Sequence, residues 1–467
     1  MARTPLPVPL SGVEGAVFPA PVGGMQAVML AALQQLEHTQ YLPADAMLAR
    51  QFRQIALTAR HAQGALPFWR ERFRAAGFDP AAPITPERWA ALPILTRAEA
   101  IAAGAALHCS ALPAQHGGVE SYATSGSTGM TLAVRRSALA SFYWQVFTLR
   151  EEIWQGRDFA GKFAAIRPDD TRAPAAMTGL HERARDDWGP PVASVYPSGP
   201  SVLLDVRCSI AEQVAWLQRQ APQHLLSFAT NLLHLARHCI AHGIALPSLQ
   251  TVRSSGEVLS DTVRETCRAA WGVAVADIYS AVETGYLGLQ CPEHPHLHVQ
   301  SESALVEILD DDGRPCLPGQ VGRVVVTPLH NFAMPLFRYA LDDRAEVGAA
   351  CPCGRTLPVI ARVQGRVHDV LVLPSGERRL LHYSSRVFAG FPAILQHQLV
   401  QKTVDGLELR LVARTPLSPD DETTLRTAIQ RELGHPFAIS FVYCDALART
   451  ASGKFAEFRS EITGPKG

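Results

Sequence analysis

Ser121-Tyr-Ala-Thr-Ser-Gly-Ser-Thr-Gly-Met130 places two glycines, Gly126 and Gly129, and four hydroxyl residues, Thr124, Ser125, Ser127 and Thr128, in six consecutive positions. Glycine lets a backbone turn sharply and come close to a ligand. Successive N–H groups in such a turn make a concave anion site, to which hydroxyls add donors. A nucleotide phosphate suits that cradle, but an ordinary Ser/Gly-rich surface loop has the same composition. Segments further along the chain decide between the two.

With 467 residues the chain has room for two or more domains. Hydrophobic residues make up 47% and charged residues 18%, a globular balance rather than a disordered one. Lys+Arg and Asp+Glu number 43 each, so no basic surplus is available to hold a nucleic acid backbone. No stretch approaches the roughly eighteen apolar residues of a membrane span. The start of the chain lacks a charged segment followed by an apolar run. Together these features predict a soluble, cytoplasmic protein with no membrane or nucleic acid partner. Six scattered cysteines (Cys109, Cys208, Cys239, Cys267, Cys316 and Cys444) read as small buried hydrophobes rather than a disulfide scaffold.

Residues 1–45 are rich in Pro and Gly, with a short helical patch and no evident chemistry. Helices are predicted over 44–62, 135–154, 209–220, 229–242 and 260–271. Short apolar runs at 163–166, 225–228, 273–279, 304–309 and 323–327 read as strands. That alternation predicts an α/β architecture. After Gly365-Arg366, strand-like runs at 370–373, 395–401, 407–413 and 439–443 surround a helix at 420–433, enough for a small α+β domain. The expected boundary therefore separates residues 1–366 from 367–467. Gly156-Arg-Asp-Phe-Ala-Gly-Lys162-Phe163 nearly spells a Walker phosphate loop. It lacks the hydroxyl after the lysine, and its flanking elements are reversed, so it is set aside.

Four further segments carry chemistry. Ser254-Ser-Gly256-Glu257 follows an apolar run, and a strand ending in a small-residue turn opens a crevice at a sheet's carboxyl edge. Asp277-Ile-Tyr279-Ser-Ala-Val-Glu283 delivers a ring and a carboxylate four residues apart, suited to flank a base and to hold a metal on phosphates. Arg338-Tyr-Ala-Leu-Asp342-Asp343 offers a loop carboxylate that can accept both hydroxyls of a ribose. Arg449-Thr-Ala-Ser-Gly453-Lys454 places a lysine on a glycine-bearing loop, able to set a point charge on a developing negative oxygen. Singly, each reads as solvated surface; their order is the signal.

In that order the segments resemble the adenylate-forming (acyl-CoA synthetase) superfamily, and most closely its phenylacetate–CoA ligase branch. The resemblance runs from Pro67-Phe-Trp69 to the end and includes Leu92-Pro-Ile-Leu-Thr96 and the run from Cys353-Gly-Arg355 to Gly365-Arg366. It implies a large multi-sheet amino-terminal adenylation domain and a small mobile carboxyl-terminal α+β domain carrying a catalytic lysine. The implied chemistry is ATP- and Mg²⁺-dependent conversion of a small, aromatic carboxylic acid to an acyl-adenylate, then transfer to coenzyme A. By the same resemblance Thr124, Ser125, Gly126, Ser127, Thr128 and Gly129 would cradle the ATP phosphates. Gly256 and Glu257 would line the adenine side and Tyr279 would pack on it. Glu283 would bind Mg²⁺, Asp343 the ribose and Arg366 the hinge, and Lys454 would hold the carboxylate and α-phosphate. Three positions depart from the family pattern: Met130 stands for a lysine, Val282 for a threonine, and His368 for an aspartate or lysine. An amine or a carrier-protein thiol is the alternative acceptor, and a degenerate nucleotide-binding protein the alternative class. Lys454, Glu283 and Asp343 together favour an enzyme, because a mere binder has no physical need of all three.

Cys351-Pro-Cys353 is a thiolate knuckle, and Cys291-Pro-Glu-His294-Pro-His296-Leu-His298 supplies a third thiol with three candidate imidazoles. Three thiolates and one imidazole make a closed structural zinc site. The resemblance matches the histidine to His298, with His294 and His296 competing.

Overall fold

A computed structural model describes residues 6–123, 132–169, 182–366, 370–380, 385–388, 390–391, 393–445, 447 and 458–462. The chain divides into two compact units, Met1–Lys162 with Arg185–Ser201 and Ala276–Gln364, and Phe163–Ala184 with Val202–Val275 and Gly365–Gly467.

In the first unit seven strands lie side by side in the order Ala304–Leu309, Val321–Pro328, Tyr339–Val347, Val359–Arg366, Leu297–Val299, Gly285–Gln290, Val275–Ala281. Helices Ala44–Ala65 and Pro67–Ala75 supply a core with these strands through Ile55, Trp69 and Phe73, all fully buried, packed with Phe337 and Tyr339. Pro67 starts its helix because its fixed φ suits the first turn and its missing N–H is needed by no partner there. Trp69 two residues on sets its ring edge-on to Phe337 at 4.8 Å and donates its indole N–H to the Pro335 carbonyl at 3.0 Å. Thr96 opens the helix Arg97–Ala103 with a capping box, its hydroxyl accepting from the Glu99 N–H while Glu99 accepts from the Thr96 N–H. That cap fixes the direction in which Arg97 leaves the helix.

The second unit holds five strands in the order Thr251–Ser255, His224–Ser227, Phe163–Arg167, Ser201–Asp205, Glu182–Arg185, and the first three are parallel. Helices Ile210–Gln220, Ala229–His242 and Asp261–Trp271 alternate with the strands, as the sequence periodicity predicts. Ser209 and Ser260 cap two of them, and Gly243 and Gly272 end two in the left-handed conformation that glycine adopts without strain. The same unit includes a four-stranded sheet ordered Ala438–Tyr443, Gly406–Ala413, Ile394–Thr403, Phe458–Ser460, with helix Pro419–Leu433. Leu399, Leu409, Leu425, Ile429 and Phe437 form its core. The architecture is thus mixed α/β with a large multi-stranded sheet and a small carboxyl-terminal α+β part. Among the described residues no helix is long and apolar enough to cross a membrane.

Three local expectations change. The helix predicted over 135–154 is a strand, Ala133–Ser137, followed by a helix, Ala138–Trp154; Ser137 caps that helix by accepting from the Ala140 N–H. The short patch near the start is a sixteen-residue helix, Gly24–Thr39. Asp343 sits not in a loop but inside the strand Tyr339–Val347, 8% exposed.

Candidate active site

Strand Val275–Ala281 carries Tyr279, and the turn after it carries Glu283. Strand Tyr339–Val347 brings Asp343 alongside, and the Tyr279 hydroxyl donates to Asp343 Oδ2 at 2.8 Å. An aromatic face and a carboxylate, 64 residues apart in sequence, are thereby held as one group. Asp342 adopts φ +62°, a left-handed kink immediately before Asp343. Arg338, also left-handed, instead spends its guanidinium on the fold, donating to Glu307 Oε1 at 3.1 Å and to the carbonyls of Leu92 and Ala90.

Glu283 is buried, and its Oε1 pairs with Arg97 Nη1 at 2.9 Å. The same Nη1 donates to the Tyr339 hydroxyl at 3.2 Å. Burial, together with the Glu283 charge, pushes the Tyr339 phenol well above its usual range, so the hydroxyl stays protonated. Arg97 was not among the residues singled out in the sequence. The capped helix start Thr96-Arg97 was visible, but the partner lies 186 positions away.

A cavity of roughly 390 Å³, open mouth included, is lined by Arg136, Tyr143, Trp144, Glu283, Thr284 and His330 among others. Tyr143 and Trp144 stand on the helix Ala138–Trp154. His330 stacks on Tyr143 with ring centroids 3.7 Å apart, and burial pushes its imidazole down to about 3, so it is neutral at pH 7. The Thr284 hydroxyl is buried and has no hydrogen-bond partner among the described residues.

In the second unit the strand Thr251–Ser255 ends at Gly256, whose φ of +81° requires glycine. Glu257 accepts from the Thr230 N–H at 2.9 Å and its hydroxyl at 2.7 Å, so it caps the helix Ala229–His242. This structural duty is one the motif alone did not reveal. Thr124–Gly129 and Lys454 lie outside the described residues, as do Met130 and His368. The strands Val119–Ala123 and Ala133–Ser137 pair antiparallel as the arms of a hairpin, with Ala123 opposite Ala133. Arg366 ends the strand Val359–Arg366.

The cysteine–histidine cluster assembles within the first unit. Cys291 Sγ lies 3.8 Å from Cys351 Sγ, and Cys353 Sγ lies 3.3 Å from His298 Nε2. Donor atoms of Cys291, Cys351, His298 and His296 fall within 4.8 Å of one another. Tetrahedral ligands at about 2.3 Å (sulfur) and 2.0–2.1 Å (nitrogen) from zinc stand about 3.8 Å apart for S–S and about 3.5 Å for S–N. The Cys291–Cys351 separation matches such an S–S edge and the Cys353–His298 separation is close to an S–N one, while the donors that gather within 4.8 Å of one another are Cys291, Cys351, His296 and His298. Burial drives the His298 imidazole down to about 4, aided by Arg355, leaving it neutral as a metal ligand must be. His296, one of the competing histidines, belongs to that gathered set together with His298, whereas Cys353 approaches it only through His298.

The fold is that of the adenylate-forming coenzyme A ligases. A 2-hydroxyisobutyryl-CoA ligase solved in the postadenylation state in complex with R3-HIB-AMP superposes with a TM-score of 0.67 over 90% of this chain and 91% of its own, at 17% identity. An anthranilate–CoA ligase in complex with anthranoyl-AMP gives 0.50 over 72% and 64%, at 15% identity. In sequence, the chain is similar to a phenylacetate–coenzyme A ligase of Thermus thermophilus, 30% identical over 181 residues, which is 36% of this chain and 40% of that protein. The match thus spans less than half of the relative's length. Residues 373–460 match the family model of the CapK C-terminal domain.

Proposed function

We propose that this protein is an ATP-dependent ligase that converts a small carboxylic acid, aromatic in our reading, to an acyl-adenylate and passes the acyl group to coenzyme A. The observation that carries the reading is the Tyr279–Asp343 pair, with buried Glu283 on the turn that follows the Tyr279 strand. A nucleoside needs a flat apolar face for the base and a carboxylate for the ribose hydroxyls, and its phosphates need a metal-holding carboxylate nearby. Relatives named as coenzyme A ligases, two of them bound to acyl-AMP species, support it.

In this reading Asp343 accepts the ribose hydroxyls, Tyr279 packs on the adenine with Gly256 and Glu257, and Thr124–Gly129 cradle the phosphates. Glu283 would hold Mg²⁺: it is a carboxylate lining the cavity, and its ion pair with Arg97 is made through Oε1. When bound, Mg²⁺ neutralises phosphate charge. Lys454, on the mobile domain 367–467 hinged at Arg366, steadies the negative charge shared by the acid's carboxylate and the α-phosphate. That is charge stabilisation on a positioned substrate, which is most of what nucleotidyl transfer requires. Cys291, Cys351, Cys353 and His298 would hold a structural zinc, with no open position for chemistry.

The test is pyrophosphate release with ATP and Mg²⁺ across a panel of carboxylic acids, with and without coenzyme A. Release dependent on one acid, with a thioester formed only when coenzyme A is present, is the expected result. ATP binding without release under any acid would contradict the reading.

A further inference from the structure

The phosphate-loop segment Ser121–Met130 contains hydroxyls and glycines but no lysine or arginine. A polyphosphate held only by neutral donors is under-compensated, since charge-assisted bonds are roughly twice as strong as neutral ones. The nearest cations in the hairpin are on its second strand, and one of them is held in a defined place. The Arg136 guanidinium lies 4.6 Å from the Tyr122 ring centroid and 4.5 Å from that of Trp144. Its Nη2 donates to the Val282 carbonyl at 2.7 Å. Glu120, facing it across the hairpin, accepts from the Tyr122 hydroxyl, and its charge also acts on Arg136. Arg136 thus opens onto the same cavity as Glu283 and the unpartnered Thr284 hydroxyl, fixed one residue from the carboxylate assigned to the metal.

We infer that Arg136, with Thr284 Oγ1, forms the cationic end of a pyrophosphate-class anion site in this cavity, supplying the charge the phosphate loop itself lacks. Clamped between two rings and a carbonyl, the guanidinium keeps donors to spare and loses little entropy on meeting an anion. The inference rests on the ligase reading, in which the anion is the β,γ-phosphate end of ATP before reaction and released pyrophosphate after it.

Calorimetric titration of inorganic pyrophosphate with MgCl₂ into the full-length protein tests it, alongside KM for ATP and for the acid. Arg136→Met should weaken pyrophosphate binding and raise KM for ATP about tenfold or more, the size of one lost bond to a charged group. KM for the acid should stay within about twofold on that account. Arg136→Lys should recover part of the loss, and Met130→Lys added to Arg136→Met should recover most of it. Unchanged pyrophosphate binding in Arg136→Met would overturn the inference. So would a fall in melting temperature with equal losses for ATP and acid, which marks Arg136 as a brace only. If the unaltered protein binds pyrophosphate through Arg136 but no acid supports adenylate formation, the ligase reading fails and the anion site stands.

Discussion

At the scale of single residues the structure shows where charges have been taken from water and what compensates them. Glu283 and Arg97 form such a pair, with side chains 6% and 12% exposed. Removing one member of a buried pair leaves the other uncompensated, which costs more than the pair itself contributes. Arg97→Met should therefore lower stability by about 3–5 kcal/mol in denaturant unfolding. A loss below about 1 kcal/mol would show that water reaches Glu283 freely. His330 makes the second prediction. Its imidazole titrates near 3 in the folded chain and near its ordinary 6.5 unfolded. The unfolded state then binds the extra proton between those values. His330 costs no stability above pH 6.5 and progressively more as pH falls below it, by up to about 1.4 kcal/mol per pH unit. Unfolding midpoints compared at pH 7.5 and 5.5 should fall less in His330→Gln than in the unaltered protein; equal falls would place that acid sensitivity elsewhere.

At the scale of elements, what the sequence could reveal depended on how local the cause was. The helices of the second unit and its strands near 163–167, 224–227 and 251–255 were legible because their apolar periodicity and their caps, Ser209 and Ser260, lie within a few positions of one another, whereas the strands Ser201–Asp205 and Glu182–Arg185 were not predicted. The helix at 135–154 was misplaced because the hairpin strand Ala133–Ser137 runs straight into the helix; only Ser137, as N-cap, marked the change. The cysteine cluster was legible because Cys-x-Cys and the nearby histidines are written in short spacings, although spacing did not settle that His296 gathers together with His298. Arg97 and His330 were not legible, because each meets its partner across more than a hundred residues, and Arg136 likewise meets the Val282 carbonyl over such a span, although its ring partners Tyr122 and Trp144 are near in sequence. Two predictions belong here. Trp69 joins helix Pro67–Ala75 to the strands through Phe337 and the Pro335 carbonyl, so Trp69→Ala should cost about 3–5 kcal/mol in unfolding free energy. A cost near 1 kcal/mol would mean that the helix is not part of the cooperative core. For the cluster, metal analysis of the purified protein should find about one zinc per chain. Exhaustive chelation should lower the melting temperature by several degrees while leaving ATP binding in place. A metal-free protein of unchanged stability would show four reduced side chains packed for their own sake.

At the scale of the whole molecule, the division of labour is the claim. Tyr279, Glu283 and Asp343 stand on strands of the first unit or the turn that follows one, where neighbours fix their rotamers. Lys454 belongs to the carboxyl-terminal segment, which the proposal treats as a domain that moves. In the proposed reading the nucleotide platform would bind ATP without the lysine, and the lysine would act only in the chemical step. Lys454→Ala should accordingly leave the dissociation constant for ATP within about threefold while reducing adenylate formation by about a hundredfold or more. Equal losses in both would place Lys454 in ground-state binding instead. The most direct measurement is isotope exchange between ATP and labelled pyrophosphate, without coenzyme A, in the presence of each candidate acid. Exchange should require one acid and Mg²⁺ and should disappear in Lys454→Ala. Exchange absent for every acid, in protein that still binds ATP, would contradict the ligase reading.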